Sequence, residues 1–328
     1  MDNDPQTDEP AMTGASTRLA ALASAMVMRW LTERGLAASG GGTTVGGPVP
    51  LARLTVEGRM LCLAVLPLFE DAAEGEPGRR RVDLEHRLSA AGAGAVTLWV
   101  PPGATIPDEE RDATCERVTA AAAALAPGAR GEVMFPVELE LRKNSDEGRY
   151  MSVVGGLSPH WARFTDRVFG FYQLDSSAIH RLPEDADKVT QLIDFTVLVA
   201  NGIRKAGQRA AVKAEDAWTV QKLEGLGGPA VVAAADGGTA DGTTVRRTLR
   251  AGLSAAREAM EAQPAAEREG RAVAFVGMYR SMEEESASAA LRGVDPELFA
   301  GLDFACLLAD GQLKLLLGPR PGSIVAEK

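Results

Sequence analysis

From Val137 to Arg142 the chain alternates apolar and charged residues, with Val137, Leu139 and Leu141 on one side of an extended strand and Glu138, Glu140 and Arg142 on the other. A period of two excludes a helix here and requires a sheet with a core on one face only. Asn144 to Gly148 reads as a turn, and Tyr150 to Val154 as the return strand of a long hairpin that ends in Gly155-Gly156. Ser158-Pro159 then starts a short helix carrying His160, Trp161 and Phe164. The stretch from Glu132 to Pro183 holds seven of the sixteen aromatic residues and two of the three histidines. Specific recognition is therefore expected there.

The rest of the chain supplies helices and strands to build around that hairpin. Leu19, Leu22, Met26 and Trp30 recur at helical spacing, and Gly35 ends their helix. Gly40 to Pro50 reads as a loop; its GGGTTVGG run lacks a P-loop lysine. Two β-prone runs flank Glu57-Gly58 as a hairpin, residues 71–82 form a polar loop, and Asp83 opens a short helix. AVTLWV (95–100) is a buried strand, and Asp108 caps a helix to about Ala126. Glu184 and Asp185 begin a long helix striped by Val189, Leu192, Ile193, Thr196, Ala200 and Ile203, with a second helical piece from about Gly207 to Glu224. After a Gly-rich stretch come a helix (245–262), a strand (273–279), a Glu-rich helix (282–291) and a closing hairpin turning at Asp310-Gly311. This alternation specifies an α+β or α/β fold, a mixed β-sheet with β-hairpins and flanking helices, arranged as a single domain or as two lobes. The expected division is a disordered acidic tail (1–16), an N-terminal α/β domain with the central hairpin (17–183), and a C-terminal helical and hairpin region (184–328) with a loop at 225–244.

A formal net charge of −10 argues against a surface built wholly for nucleic acid, while leaving room for a local basic groove. Cys62, Cys115 and Cys306 are far apart and form no CxxC pair, so their spacing indicates neither a zinc cage nor a redox dithiol. Such usage fits a reducing cytoplasm. The acidic start has no basic and apolar leader, and no apolar run reaches membrane-spanning length.

Three sets of residues carry candidate chemistry. Glu138 and Glu140, with Lys143 and with Glu70 or Asp71 at a neighbouring strand end, are the acids a divalent metal would need. Nucleases of the PD-(D/E)XK kind place an acid and a lysine two residues apart on one strand. Here Arg142 stands two residues after Glu140, and Lys143 is one residue out of phase. The competing reading is a solvated sheet face with cross-strand ion pairs. His160 and His180 are acid/base candidates, His180 the better. Arg142, Arg149, His160, Trp161, Arg163, Arg167 and Tyr172 form an aromatic and basic set that can bind a peptide or stack on bases, or simply supply core rings.

With no complete catalytic set, the primary expectation is a cytoplasmic binding or scaffold protein that meets a protein partner through the central hairpin and aromatic-basic segment, without a cofactor or membrane. One alternative is a metal-dependent nuclease or other nucleic-acid-acting protein using the strand carboxylates; only this reading calls for a divalent metal. The other is a small-molecule enzyme with a histidine acid/base. No GxSxG elbow or GxGxxG turn is present to suggest a serine hydrolase or a dinucleotide site.

Overall fold

The structure is a computed structural model that describes residues 11–44, 49–68, 76–101, 103–104, 110–232, 242–277, 295–319 and 323–325. In chain order its elements are α1 (Ala11–Glu33), β1 (Ala38–Thr44), β2 (Leu51–Val56), β3 (Arg59–Pro67), α2 (Glu76–Ala90), β4 (Val96–Trp99), α3 (Arg111–Ala123), β5 (Arg130–Ser145), β6 (Arg149–Gly155), β7 (Gly170–Ser176), α4 (Ala186–Gly202), β8 (Arg209–Lys222), β9 (Ala230–Val232), α5 (Gly242–Glu261), β10 (Gly270–Val276), β11 (Phe304–Ala309) and β12 (Gln312–Leu317). Two mixed six-stranded sheets and their helices make the fold α+β. Among the described residues no helix is long and apolar enough to cross a membrane.

The chain divides into two compact units. The larger, discontinuous one comprises Met1–Pro102, Ile106–Gly131 and Val220–Lys328. Its sheet has the order β1-β2-β3-β10-β11-β12, with β3, β10 and β11 parallel in the middle. Central parallel strands are covered on both faces, and their near-continuous apolar runs answer that demand. Leu61, Leu63 and Val65 of β3 share a core with Leu22, Met26 and Trp30 of α1. The alternate residues Cys62, Ala64 and Leu66 pack with Leu249, Leu253 and Met260 of α5. Antiparallel hairpins form both margins, and their turns sit where expected. Glu57-Gly58 has φ of 51° and 79°, and Asp310-Gly311 has 54° and 70°, the left-handed pair that a two-residue hairpin turn needs.

The smaller unit is built from Glu132–Thr219 with Gly103–Thr105. The expected join at residues 183 and 184 falls inside it, just before α4. Here the central hairpin requires correction. β6 does not pair with β5, because β7 lies between them, antiparallel to β5 and parallel to β6. Tyr172 and Leu174 are wholly buried, so β7 brings more apolar surface than β6 to a central position. Residues 146–148 bridge two strand spacings, about 10 Å, which the chain from Ser145 to Arg149 can span. The entry to β7 requires glycine: Gly170 has φ +118°, and a Cβ there would lie 2.5 Å from the Ser145 carbonyl oxygen.

Other local expectations change for similar reasons. The second helical piece after Gly207 is the strand β8, where Val212, Ala214 and Asp216 point inward and Arg209, Ala211, Lys213 and Glu215 outward. Its alanines suit either conformation, and pairing with β5 decides. The loop expected from Gly40 begins as strand β1 up to Thr44 and pairs with β2. The loop expected over 71–82 gives way to α2 from Glu76. The acids Glu70 and Asp71, the cap Asp108 and the Glu-rich helix expected over 282–291 lie outside the described residues.

Candidate functional site

Within the smaller unit, α4 covers one face of the strands β6, β7, β5 and β8. Asp185 caps the helix by accepting the Asp187 N–H, and Val189, Ile193, Val197 and Ala200 face Leu139, Leu141, Tyr172 and Leu174 in a shared core. The crossover from β6 to β7 is strapped along this helix. Arg163 donates to Thr190 Oγ1 at 2.9 Å and Arg167 pairs with Asp194 at 2.8 Å. Asn201 donates to the Arg167 carbonyl and accepts the Phe169 N–H. Phe164 and Val168 are buried beneath these bonds, whereas Trp161 and Phe169 stay outside. The Arg149 guanidinium lies 5.0 Å from the centre of the Phe169 ring. On α4 itself, Phe195 and Leu198 point to solvent, Leu198 with 69% of its surface exposed.

The opposite face of these strands is open and ordered in rows. Tyr150 of β6 and Phe171 of β7 stack with centroids 5.7 Å apart. Next to them Ser152, Gln173 and Arg142 lie in register across three strands. Lys143 donates its N–H to Gln208 and accepts that of Gly207, which sets Arg142 beside Arg209. Val154, Asp175 and Glu140 form the following row, and Arg209 pairs with Glu140 at 2.9 Å. Ser177 donates to Asp175 and holds its carboxyl below the ordinary carboxylate range.

A buried polar knot ties the end of β7 to β8. Asp216, 2% exposed, accepts the backbone N–H groups of His180 and Arg181 on Oδ1, both at 2.8 Å. Its Oδ2 accepts Trp218 Nε1–H at 2.8 Å and faces His180 Nδ1 at 2.9 Å, so the imidazole carries its hydrogen on Nδ1 toward the carboxylate. Such a pair fixes the ring and leaves Nε2 as the nitrogen able to take up or release a proton. The first duty of this carboxylate is nonetheless to satisfy two backbone donors.

The sequence-derived candidates separate between these places. Glu138 and Glu140 are exposed on the open face. Lys143 is on the other side of β5, where its ammonium donates to the Ile203 carbonyl, pairs with Asp146 at 3.0 Å and sits over the Tyr172 ring. Asp146 raises the Lys143 pKa, and Lys143 in turn holds the Asp146 carboxyl low. Lys143 therefore does not converge with Glu140, and among the described residues no group of three or more His, Cys, Asp or Glu gathers as metal ligands do. Tyr172 is fully buried, its hydroxyl within reach of the Phe169 and Ala200 carbonyls, and presents no binding surface. Arg142, Arg149, Trp161 and Arg167 are exposed, while His160 and Arg163 are partly covered.

Sequence reasoning passed over Phe195, Leu198 and Asp216. The first two interrupt the polar face of α4 at positions off its buried stripe, a signal open to reading; Asp216 was hidden by the helical reading of its strand. In the larger unit, a cleft of about 540 Å³ is lined by Met28, Arg29, Glu33, Pro127 and Leu223, and the charges of Arg29 and Glu33 pair with each other. Compared with protein-family models, curated proteins and solved structures, the chain matches none.

Proposed function

We propose that the chain is a binding protein that meets a protein partner through the aromatic crossover and the outer face of α4. One observation carries this reading: four of the six exposed large apolar side chains among the described residues, Trp161, Phe169, Phe195 and Leu198, lie on this crossover and on α4. Rings and leucines held out in water by well-bonded backbone are the composition of an interface core, with Arg149 and Arg167 as its polar rim. Three free, buried thiols suit a reducing compartment, and we place the protein in the cytoplasm.

The test is affinity capture from cell extract with the wild-type chain and with a Trp161→Ser/Leu198→Glu variant of unchanged circular dichroism. The reading predicts a partner retained by the first and lost by the second, and slower hydrogen exchange over 158–169 and 190–201 once that partner, purified, is added back. Identical captures, or a partner that protects only the larger unit, would refute it.

A further inference from the structure

We infer that the open sheet face of the smaller unit, at the end bearing Tyr150 and Phe171, is a binding site for single-stranded nucleic acid. This surface lies across the strands from α4 and is independent of the protein-binding reading. Its apolar element is the stacked pair Tyr150 and Phe171, on adjacent strands with their planes at 24° to each other. Tyr150 keeps 45% of its surface exposed, enough for a flat ligand to lie against it. Every base has such a flat face, so rings of this kind hold unpaired bases without regard to sequence. A duplex keeps its bases stacked inside and offers them none.

The neighbouring row provides the hydrogen-bonding groups a base edge needs, Gln173 beside Arg142. Charge at this end has the sign a phosphate chain requires. Arg204 and Lys205 are exposed in the turn that enters β8, and this turn is fastened to the same end of β5 by the bonds between Lys143 and residues 207 and 208. Arg142, Arg204 and Lys205 form no ion pair among the described residues; of the acids nearby, Glu140 and Asp146 are taken up by Arg209 and Lys143, which leaves exposed Glu147 in the turn before β6 and Asp175 in the row beyond against these three cations. In a chain of net charge −10 a local excess of unpaired cations beside solvent-facing rings selects an anionic, aromatic ligand. A polynucleotide strand has both properties in one repeat.

Fluorescence anisotropy with labelled oligo(dT) and oligo(U), in about 50 mM salt, tests the assignment, with a duplex of equal length and heparin as competitors. The expected result is binding to one or both single strands, tighter than to duplex and weakened about tenfold by Tyr150→Ala, the loss of one stacked base. Arg142→Gln/Lys205→Gln, both exposed substitutions, should lower the salt dependence by about 1.4 in log–log slope if each side chain meets a phosphate. A preference between oligo(U) and oligo(dT) would name the natural strand. Absence of binding at micromolar protein overturns the inference. So does binding that duplex and heparin displace equally well and Tyr150→Ala leaves intact, since that describes a polyanion on a charged surface.

Discussion

Replacing Asp216 by alanine separates an anchoring carboxylate from one kept for chemistry. Four donors converge on it: the His180 and Arg181 backbone N–H groups, the Trp218 indole and the His180 ring. The carboxylate is 2% exposed, so water does not readily replace it. Each buried donor left without an acceptor costs about 1–3 kcal/mol, and donors on a charged acceptor stand at the upper end. The ring nitrogen of His180, on a partly exposed side chain, can recover a water partner, which leaves three donors stranded. Asp216→Ala should therefore destabilise the smaller unit by about 3–5 kcal/mol, the range found when one partner of a buried charged network is deleted. Asp216→Asn keeps one carbonyl oxygen for the two backbone donors but turns an NH₂ toward Trp218 and His180, and should cost about half as much. Urea unfolding gives the magnitudes. Hydrogen exchange gives the location, with the amides of residues 180 and 181 losing protection first. An alanine variant within about 1 kcal/mol of wild type, with those amides still slow, would refute the anchoring argument and favour the His180–Asp216 pair as a proton-transfer device.

Two further outcomes follow from backbone and burial. Gly170→Ala forces a Cβ to 2.5 Å from the Ser145 carbonyl at φ +118° and should cost about 2–4 kcal/mol in thermal unfolding, while Gly202→Ala, with open space around it at the end of α4, should change stability by less than about 1 kcal/mol. Cys62, Cys115 and Cys306 are buried, and burial pushes the Cys62 thiol up to about 11 and raises the other two. A thiol reagent near pH 8 should modify none of them in the folded chain and all three in guanidinium. Because the folded thiols ionise at higher pH than the unfolded ones, their contribution to stability is complete below about pH 8.5 and falls as pH rises through 11. A rapidly modified thiol in the native protein at pH 8 would contradict the packing.

Local sequence determined the elements whose pattern needs no partner to be read. The stripe Leu19, Leu22, Met26 and Trp30 can only be one face of a helix, and Glu57-Gly58 and Asp310-Gly311 turn as hairpins because each pair supplies a glycine for the left-handed angle a two-residue turn needs. The alternation in β5 likewise announced one buried and one open face, and both are found. What the pattern did not contain was adjacency. Tyr150 to Val154 looked like the return strand of β5 because nearness in sequence is the only pairing clue a sequence displays; burial of Tyr172 and Leu174 put β7 in that place instead. The same limit applies to β8, whose alanine-rich residues take strand form only because β5 offers them a ladder. The surfaces of the smaller unit follow from those long-range pairings: Phe171 meets Tyr150, Arg142 meets Gln173, and Asp216 meets His180 from across the fold. Side-chain periodicity is a property of one segment, whereas a site is a property of several segments brought together, and only the free energy of the whole packed core chooses which ones meet.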